Sequence, residues 1–375
     1  MTERKTVTFW DTSCFLTVVE AAVSSYTDTK CLYSEANTME NSVNRIMVNT
    51  VVKKAIHDLK SDSERTVRNL VDMALRFADS RFQQEFYSSA QRLLSNEQSG
   101  YYALVKNTIS KMNEETLLTF SMNLGYNGLY QGAVKIREQE KKLQCSIPWS
   151  INLTITEGKV FDQHHALIRQ GEELGIHTWH LFSNHGIHDC ISLAAKHPDS
   201  AFVIFSSSHE INMTVIDLAQ ELPNIALVVP FDADADAACS LLSASGILFG
   251  LYCTYTQKDL PKIESGELIE DMEQLHPIIS ILHPKFPCES ELRKRVYAWV
   301  TAARMEQKYH TIPWELYGDM LLVDSVISEP AIWVGFDEYG QLCTENGVDR
   351  TFGRNIYKND LPYILQQAFP KKGTT

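Results

Sequence analysis

Ser150-Ile151-Asn152-Leu153-Thr154-Ile155-Thr156 is a short β-branched run, the first of six. The others are His177–Phe182, Ala201–Ser206, Ile225–Phe231, Leu248–Thr256 and Ile278–His283, with helical segments between them. Their starts lie 27, 24, 24, 23 and 30 residues apart. A β/α unit recurring at that interval predicts an α/β fold with parallel strands and right-handed crossovers. A closed eight-stranded barrel usually needs about 250 residues. Only about 140 are used here, so the spacing predicts an open, partial (β/α)6 barrel, TIM-like, over residues 146–313. Downstream, Ala331–Thr344 predicts a hairpin whose turn is bracketed by Asp337 and Gly340. A last helix is predicted from Asp360, with Pro362 in its first turn, where a missing N–H costs nothing. These two elements form a small segment over 314–375.

Upstream, residues 1–145 read as all helical. Ser61-Asp62-Ser63-Glu64 is a capping box, and Val67, Leu70, Val71, Ala74, Leu75, Ala78 and Phe82 follow it on one helical face. Asn113 caps another helix, with Glu114 and Glu115 placed favourably for the helix dipole. Further amphipathic stretches lie near 12–26, 38–60 and 100–110.

Length and composition bound the function. A chain of 375 residues, 44% apolar and 22% charged, can bury a core and suits two domains or one large one. Its net charge of −13 argues against nucleic acid as a partner. The charge is uneven: residues 1–150 hold 18 Lys/Arg against 17 Asp/Glu, and residues 151–375 hold 16 against 30. That shift predicts two regions with different surfaces. Met1-Thr2-Glu3-Arg4-Lys5 is not followed by an apolar run, and no stretch reaches eighteen apolar residues. A cytoplasmic protein with no membrane span is expected. The eight cysteines, Cys14, Cys31, Cys145, Cys190, Cys239, Cys253, Cys288 and Cys343, include no C-x-x-C pair. Closely spaced thiolates are what zinc and iron–sulfur sites usually require, so reduced, mostly buried thiols are expected.

Several segments carry a resemblance. Asn123-Leu124-Gly125-Tyr126-Asn127 and Ile136-Arg137-Glu138 precede Ile147-Pro148-Trp149 at the first strand. Glu172–Ile176, Lys196–Phe202 and Phe249–Thr256 follow. Near the end come Phe336-Asp337-Glu338-Tyr339-Gly340-Gln341-Leu342-Cys343 and Asn355-Ile356. Over most of residues 113–369 the chain resembles one branch of the radical S-adenosylmethionine superfamily, with a helical N-terminal region, a partial barrel and a SPASM-like C-terminal segment. The resemblance is stronger in architecture than in any motif.

The departures from that family bear on function. Where the family carries a C-x-x-x-C-x-x-C loop for a [4Fe–4S] cluster, this chain has Glu157-Gly158-Lys159-Val160-Phe161-Asp162. The family's G-G-E-P stretch falls on Ser183-Asn184-His185-Gly186, and its serine and glycine positions after strand four fall on Pro230-Phe231-Asp232-Ala233-Asp234. The C-terminal C-x-x-G-G falls on Asp324-Ser325-Val326-Ile327-Ser328, and Cys343 alone remains of the auxiliary cysteines. Reductive cleavage of a sulfonium needs an iron with an open site. The resemblance with these departures implies a degenerate member with no [4Fe–4S] cluster and weak S-adenosylmethionine binding or none.

In barrels of this kind the C-terminal strand ends line the site. They offer Thr156, Glu157, Asn184, His185, Ser206, Ser207, Asp232, Asp234, Thr256 and His283. Glu157, Asn184, His185, Ser206, Asp232, Asp234, Thr256 and His283 are the candidate ligand-binding set; no catalytic residue is assigned. His185 and His188, with Asp189 or Asp232, are candidate transition-metal ligands, against the default that such loop-tip groups are solvated or capping. Asp232, Asp234 and Asp236 alternate like calcium ligands, but an EF-hand wants glycine and glutamate where Ala237 and Ser243 stand. Ser206-Ser207-Ser208-His209 lacks a G-x-S-x-G elbow and reads as a serine-rich strand end. His164-His165 is expected to meet solvent. Trp299, Arg304 and Arg293-Lys294-Arg295 form a basic stripe on a helix, ordinary surface by default and otherwise a face for an acidic partner.

The expected function is that of a non-catalytic partner or substrate-binding subunit. Its partner would be an active radical S-adenosylmethionine enzyme, or a peptide or small-molecule substrate. An alternative is a cluster-free barrel enzyme using a metal or acid–base groups such as Asp232, Asp234 and His185. A third is that S-adenosylmethionine binds without being cleaved. Function lives in sites and not in folds.

Overall fold

The computed structural model describes residues 37–59, 96, 98–285 and 288–371. The helix expected after Ser61–Glu64 and the amphipathic stretch at 12–26 lie outside them. Ahead of the barrel come α1 (Asn37–Leu59), α2 (Gly100–Lys111), α3 (Glu114–Ser121), a π-helix (Met122–Gly132) and α4 (Ala133–Leu143). Asn113 caps α3 by accepting from the Glu115 N–H, as its sequence predicts.

All six predicted runs are strands: β1 (Ser150–Thr156), β2 (Thr178–Asn184), β3 (Ala201–Phe205), β4 (Ile225–Pro230), β5 (Phe249–Tyr255) and β6 (Ile279–Pro284). They pair in sequence order and in parallel. The connecting helices are α5 (Asp162–Leu174), α6 (Ile187–Ala195), α7 (Met213–Gln220), α8 (Ala235–Ala244), and α9 (Leu260–Ser265) with α10 (Glu267–Glu273). After α11 (Ser290–Glu306) the sheet continues past the six expected strands. β7 (Ile312–Glu315) adds to β6 in parallel. Pro313 sits in this last strand of the sheet, where a missing N–H breaks no ladder.

The C-terminal hairpin extends the opposite edge. β8 (Gly335–Phe336) pairs in parallel with β1 and antiparallel with β9 (Leu342–Thr344), which pairs with β10 (Gly347–Val348). The predicted turn is present: the Gly340 N–H donates to the Asp337 carbonyl at 2.8 Å. The predicted last helix is α13 (Leu361–Ala368), capped by Asp360 through the Tyr363 N–H. Among the described residues the result is a mixed α/β structure with a ten-stranded curled sheet, open between β7 and β10.

Alternation along the strands separates two cores. Ile151, Leu153, Ile155, Trp179 and Leu181 pack beneath the helices. The intervening residues, among them Phe182, Phe205, Val228, Tyr252 and Ile281, face the inside of the curl and meet Leu316 and Met320 of α12 (Leu316–Ile327). Asp324 fixes α12 across β1, accepting from the Trp149 N–H at 2.9 Å and the Ile332 N–H at 2.7 Å.

The π-helix explains two of the sequence motifs together. Asn123 Nδ2 donates to the carbonyls of Pro198 (2.7 Å) and Ser200 (3.1 Å), and Asn127 Nδ2 to that of Asp199 (2.8 Å). Two buried amides thus hold the turn before β3. Beside them, a Cβ on Gly132 would stand 2.4 Å from the Gly175 carbonyl oxygen, so only glycine permits this approach.

Two expectations need correction. His164 does not meet solvent: it is buried, and its Nδ1 accepts from the Phe161 N–H at 3.1 Å at the start of α5. His165 is partly buried and lies 3.2 Å from His197 Nε2. Lys294 and Arg295 of the basic stripe on α11 are exposed, but Arg304 does not belong to that surface. Arg304 is fully buried and bidentate to Asp319 at 2.8 Å. Arg293 covers the Tyr317 ring, Arg295 pairs with Glu264 at 2.6 Å, and Trp299 Nε1 donates to the Glu264 carbonyl.

Candidate functional site

At the C-terminal ends of β1 and β2 the strands are joined to the hairpin by one carboxylate. Glu338 Oε2 accepts from Thr156 Oγ1 and from Asn184 Nδ2, both at 3.2 Å. Asn184 also donates to Thr156 Oγ1 at 3.4 Å. Glu338 sits in the β8–β9 turn, which Asp337 organises by accepting from the N–H groups of Tyr339 and Gln341. Gly340 has φ +72° there, and a Cβ would meet the Tyr357 ring at 2.7 Å.

A second chain of bonds ties this turn to α5. Burial holds the His164 imidazole neutral, lowering its pKa to about 4. With Nδ1 accepting from Phe161, its proton is on Nε2, which faces the Tyr357 hydroxyl at 3.4 Å. Tyr357 in turn donates to the Glu338 carbonyl at 3.4 Å. The hairpin turn is therefore tied to the ends of β1 and β2 on one side and to the start of α5 on the other.

The segment between β1 and α5 is five residues, 157–161, without a cysteine. Its Gly158 N–H donates to Asp189 Oδ2 at 2.6 Å. The flanking cysteines in sequence, Cys145 and Cys190, are fully buried, and burial pushes the Cys145 thiol up to about 11 and the Cys190 thiol higher. Cys239 is buried too, while Cys253, Cys288 and Cys343 are partly exposed; all six are free thiols.

Below the mouth, rings fill the curl. Phe182 and Phe205 stack at 4.5 Å, Tyr252 lies 5.7 Å from Phe205, and His283 lies 6.3 Å from Phe182. Burial lowers the His283 pKa to about 4, so it is neutral at pH 7.

The candidate residues fall into separate local arrangements. Asn184 meets Thr156, and the Asn184 carbonyl accepts from the N–H of Glu157, whose side chain is exposed. His185, at φ +56°, has its ring 6.4 Å from that of His209. Ser206 Oγ is buried and without a partner among the described residues. Ser207 caps the following turn through Glu210, at 2.6 Å. Asp232 accepts from the Asp234 N–H at 3.0 Å, ahead of α8. Thr256 donates to Asp259 at 2.8 Å. Among the described residues no three His, Cys, Asp or Glu side chains are grouped to hold a metal ion, so His185, His188 and Asp232 are not gathered into one centre. No helix among the described residues is long and apolar enough to cross a membrane.

The sequence reading missed Glu338, His164 and Tyr357 as a unit at the mouth. Glu338 lay in a quoted motif, between Asp337 and Gly340, and its position in a turn beside β1 was the available signal.

No family model matches the chain, and no curated protein matches it. Among solved structures, the crystal structure of Streptococcus suis SuiB is similar with a TM-score of 0.45 at 11% identity, over 92% of this chain and 85% of that one. SuiB bound to S-adenosylmethionine gives 0.44 at 12% identity, over 69% and 70%. SuiB bound to its precursor peptide SuiA gives 0.42 at 11%, over 68% and 70%.

Proposed function

We propose that this chain is a cluster-free relative of the radical S-adenosylmethionine proteins and acts as a non-catalytic binding subunit, engaging an active enzyme of that kind or presenting its substrate. The observation that carries this reading is the Glu338 latch on Thr156 and Asn184. Glu338 of the C-terminal hairpin thereby meets the ends of β1 and β2, near which the family places its cluster and cosubstrate. The donor set there does not fit an iron–sulfur cluster, which is held by thiolates: residues 157–161 hold no cysteine, and among the described residues no three Cys, His, Asp or Glu side chains are grouped. Asp232, Thr256 and Ser207 cap local turns. No redox step is assigned to the chain.

The test is co-purification with an active radical S-adenosylmethionine enzyme from the same cells, together with that enzyme's turnover with and without this chain. Association with a change in turnover is the expected result. No association and no effect contradict the reading. A stoichiometric transition metal, lost with an activity of the isolated chain in Asp232→Ala or His185→Ala, would replace it with the barrel-enzyme alternative.

A further inference from the structure

On the outside of the barrel a cleft of about 630 Å3 lies between α5 and the turn that joins α6 to β3. Two imidazoles meet across it. His165 Nδ1 lies 3.2 Å from His197 Nε2, with the rings stacked at 5.4 Å. A contact of that length is a hydrogen bond, so one nitrogen carries a proton and the other offers its lone pair. His197 is buried, and its Nδ1 lies 3.6 Å from Glu172 Oε1, which also accepts from Ser200 Oγ at 2.7 Å. The turn so held is a junction. Its Pro198, Asp199 and Ser200 carbonyls take the Asn123 and Asn127 amides of the π-helix, and the Asp199 carboxylate pairs with Arg45 of α1 at 2.7 Å.

We propose that the His165–His197 pair is a pH-sensitive clasp, closed while the rings share one proton at their contact and opened when acid protonates both facing nitrogens. With both rings as imidazolium, Nδ1–H would point at Nε2–H, and two like charges would stand at hydrogen-bond distance. The surroundings of His165 resist that second proton. Burial lowers its pKa from 6.5, and the charges of His197, Lys196 and Arg169 lower it further, against Asp162. Asp162, Arg169 and Glu172 share one face of α5, while Lys196 and Asp199 belong to the turn. From α4, Lys135 donates to the Glu172 carbonyl at 3.1 Å. Just ahead of β2, His177 Nδ1 lies 3.2 Å from the Asp199 carbonyl and 3.5 Å from Ser200 Oγ. Protonating His177 gives that carbonyl a donor, so it does not part the turn. The unfolded chain takes up the His165 proton near pH 6.5 and the closed clasp does not. The clasp therefore stabilises fully above about pH 6.5 and is lost as pH falls below it. Opening loosens the turn, and with it the seat of the π-helix and α1.

Two measurements on the full chain test this: NMR titration of the imidazole C–H signals, and hydrogen exchange of the Ser200 amide, which donates to the His197 carbonyl at 3.2 Å. His165 is expected to titrate below 6.5 in the wild type and higher in His197→Gln, where the neighbouring charge is gone. His165→Gln keeps a polar side chain in the cleft that cannot take a charge. Between about pH 7.5 and pH 5, corrected for intrinsic exchange, wild-type protection of Ser200 is expected to fall roughly tenfold. His165→Gln is expected to keep its protection over the same range. A His165 pKa at or above 6.5, one that His197→Gln leaves unchanged, or equal loss of protection in wild type and His165→Gln would overturn the proposal. The pair would then be an ordinary packing contact.

Discussion

Replacing Asp319 by alanine is expected to lower folding stability by about 3–5 kcal/mol, the largest loss from any single truncation considered. The carboxylate makes two 2.8 Å bonds to Arg304 and also accepts from the Glu315 N–H at 2.8 Å. Both ionic side chains are fully buried. Without Asp319, the guanidinium keeps one bond, to the Pro313 carbonyl at 3.1 Å, and stays charged in the core. The penalty comes from that stranded charge more than from the attraction lost. Replacing both partners with apolar residues, as in Arg304→Met with Asp319→Leu, should therefore recover much of the loss. Urea unfolding followed by tryptophan fluorescence measures both variants. A loss below about 1 kcal/mol for Asp319→Ala, the size of an exposed pair, would show that the pair is not buried as described.

The second large effect concerns pH. Burial raises the Asp324 carboxyl from 3.8 to about 7, against the lowering influence of the Ile332 and Trp149 N–H groups. A folded-state pKa above the unfolded one means the folded protein keeps a proton that the unfolded chain releases. Stability from this group is thus full below about pH 4 and is lost as pH rises to about 7. At about 1.36 kcal/mol per pKa unit the full effect amounts to roughly 4 kcal/mol. Glu315, raised to about 7 chiefly by burial, acts in the same sense. His164, His180 and His283 act in the opposite one, because burial lowers each to about 4. Their contributions are present above about pH 6.5 and are lost as pH falls through 4. The whole-protein profile is consequently shallow, and the signal lies in a difference. Stability of the wild type relative to Asp324→Asn should fall by roughly 3–4 kcal/mol between pH 4 and pH 7.5. A difference that stays flat over that range would place the ionisation of Asp324 elsewhere.

The six main strands were legible because parallel strands covered by helices read as compact apolar runs at regular intervals. β7 was not, because four residues containing Pro313 give too little pattern. The cap at Asn113 and the helix start at Asp360 were legible because such signals are local: the capping donor and acceptor lie within three residues. Arg304 misled because charge normally marks surface, and its partner is supplied by a different helix. The mouth was legible only as a set of strand-end positions. Its latch combines Glu338, Tyr357 and His164 from segments far apart in sequence, and no local pattern announces such a meeting. The contact of His165 with His197 stayed hidden for the same reason, since the two lie 32 residues apart in sequence.

The central claim is that this barrel frame works without an iron–sulfur centre, residues 157–161 holding no cysteine and Glu338 bonding the ends of β1 and β2. Anaerobic reconstitution with iron and sulfide, followed by desalting and assay of iron, acid-labile sulfide and S-adenosylmethionine cleavage, tests it most directly. A colourless protein carrying neither iron nor sulfide and leaving the cosubstrate intact is predicted. A brown protein with stoichiometric iron and sulfide that cleaves S-adenosylmethionine would contradict it.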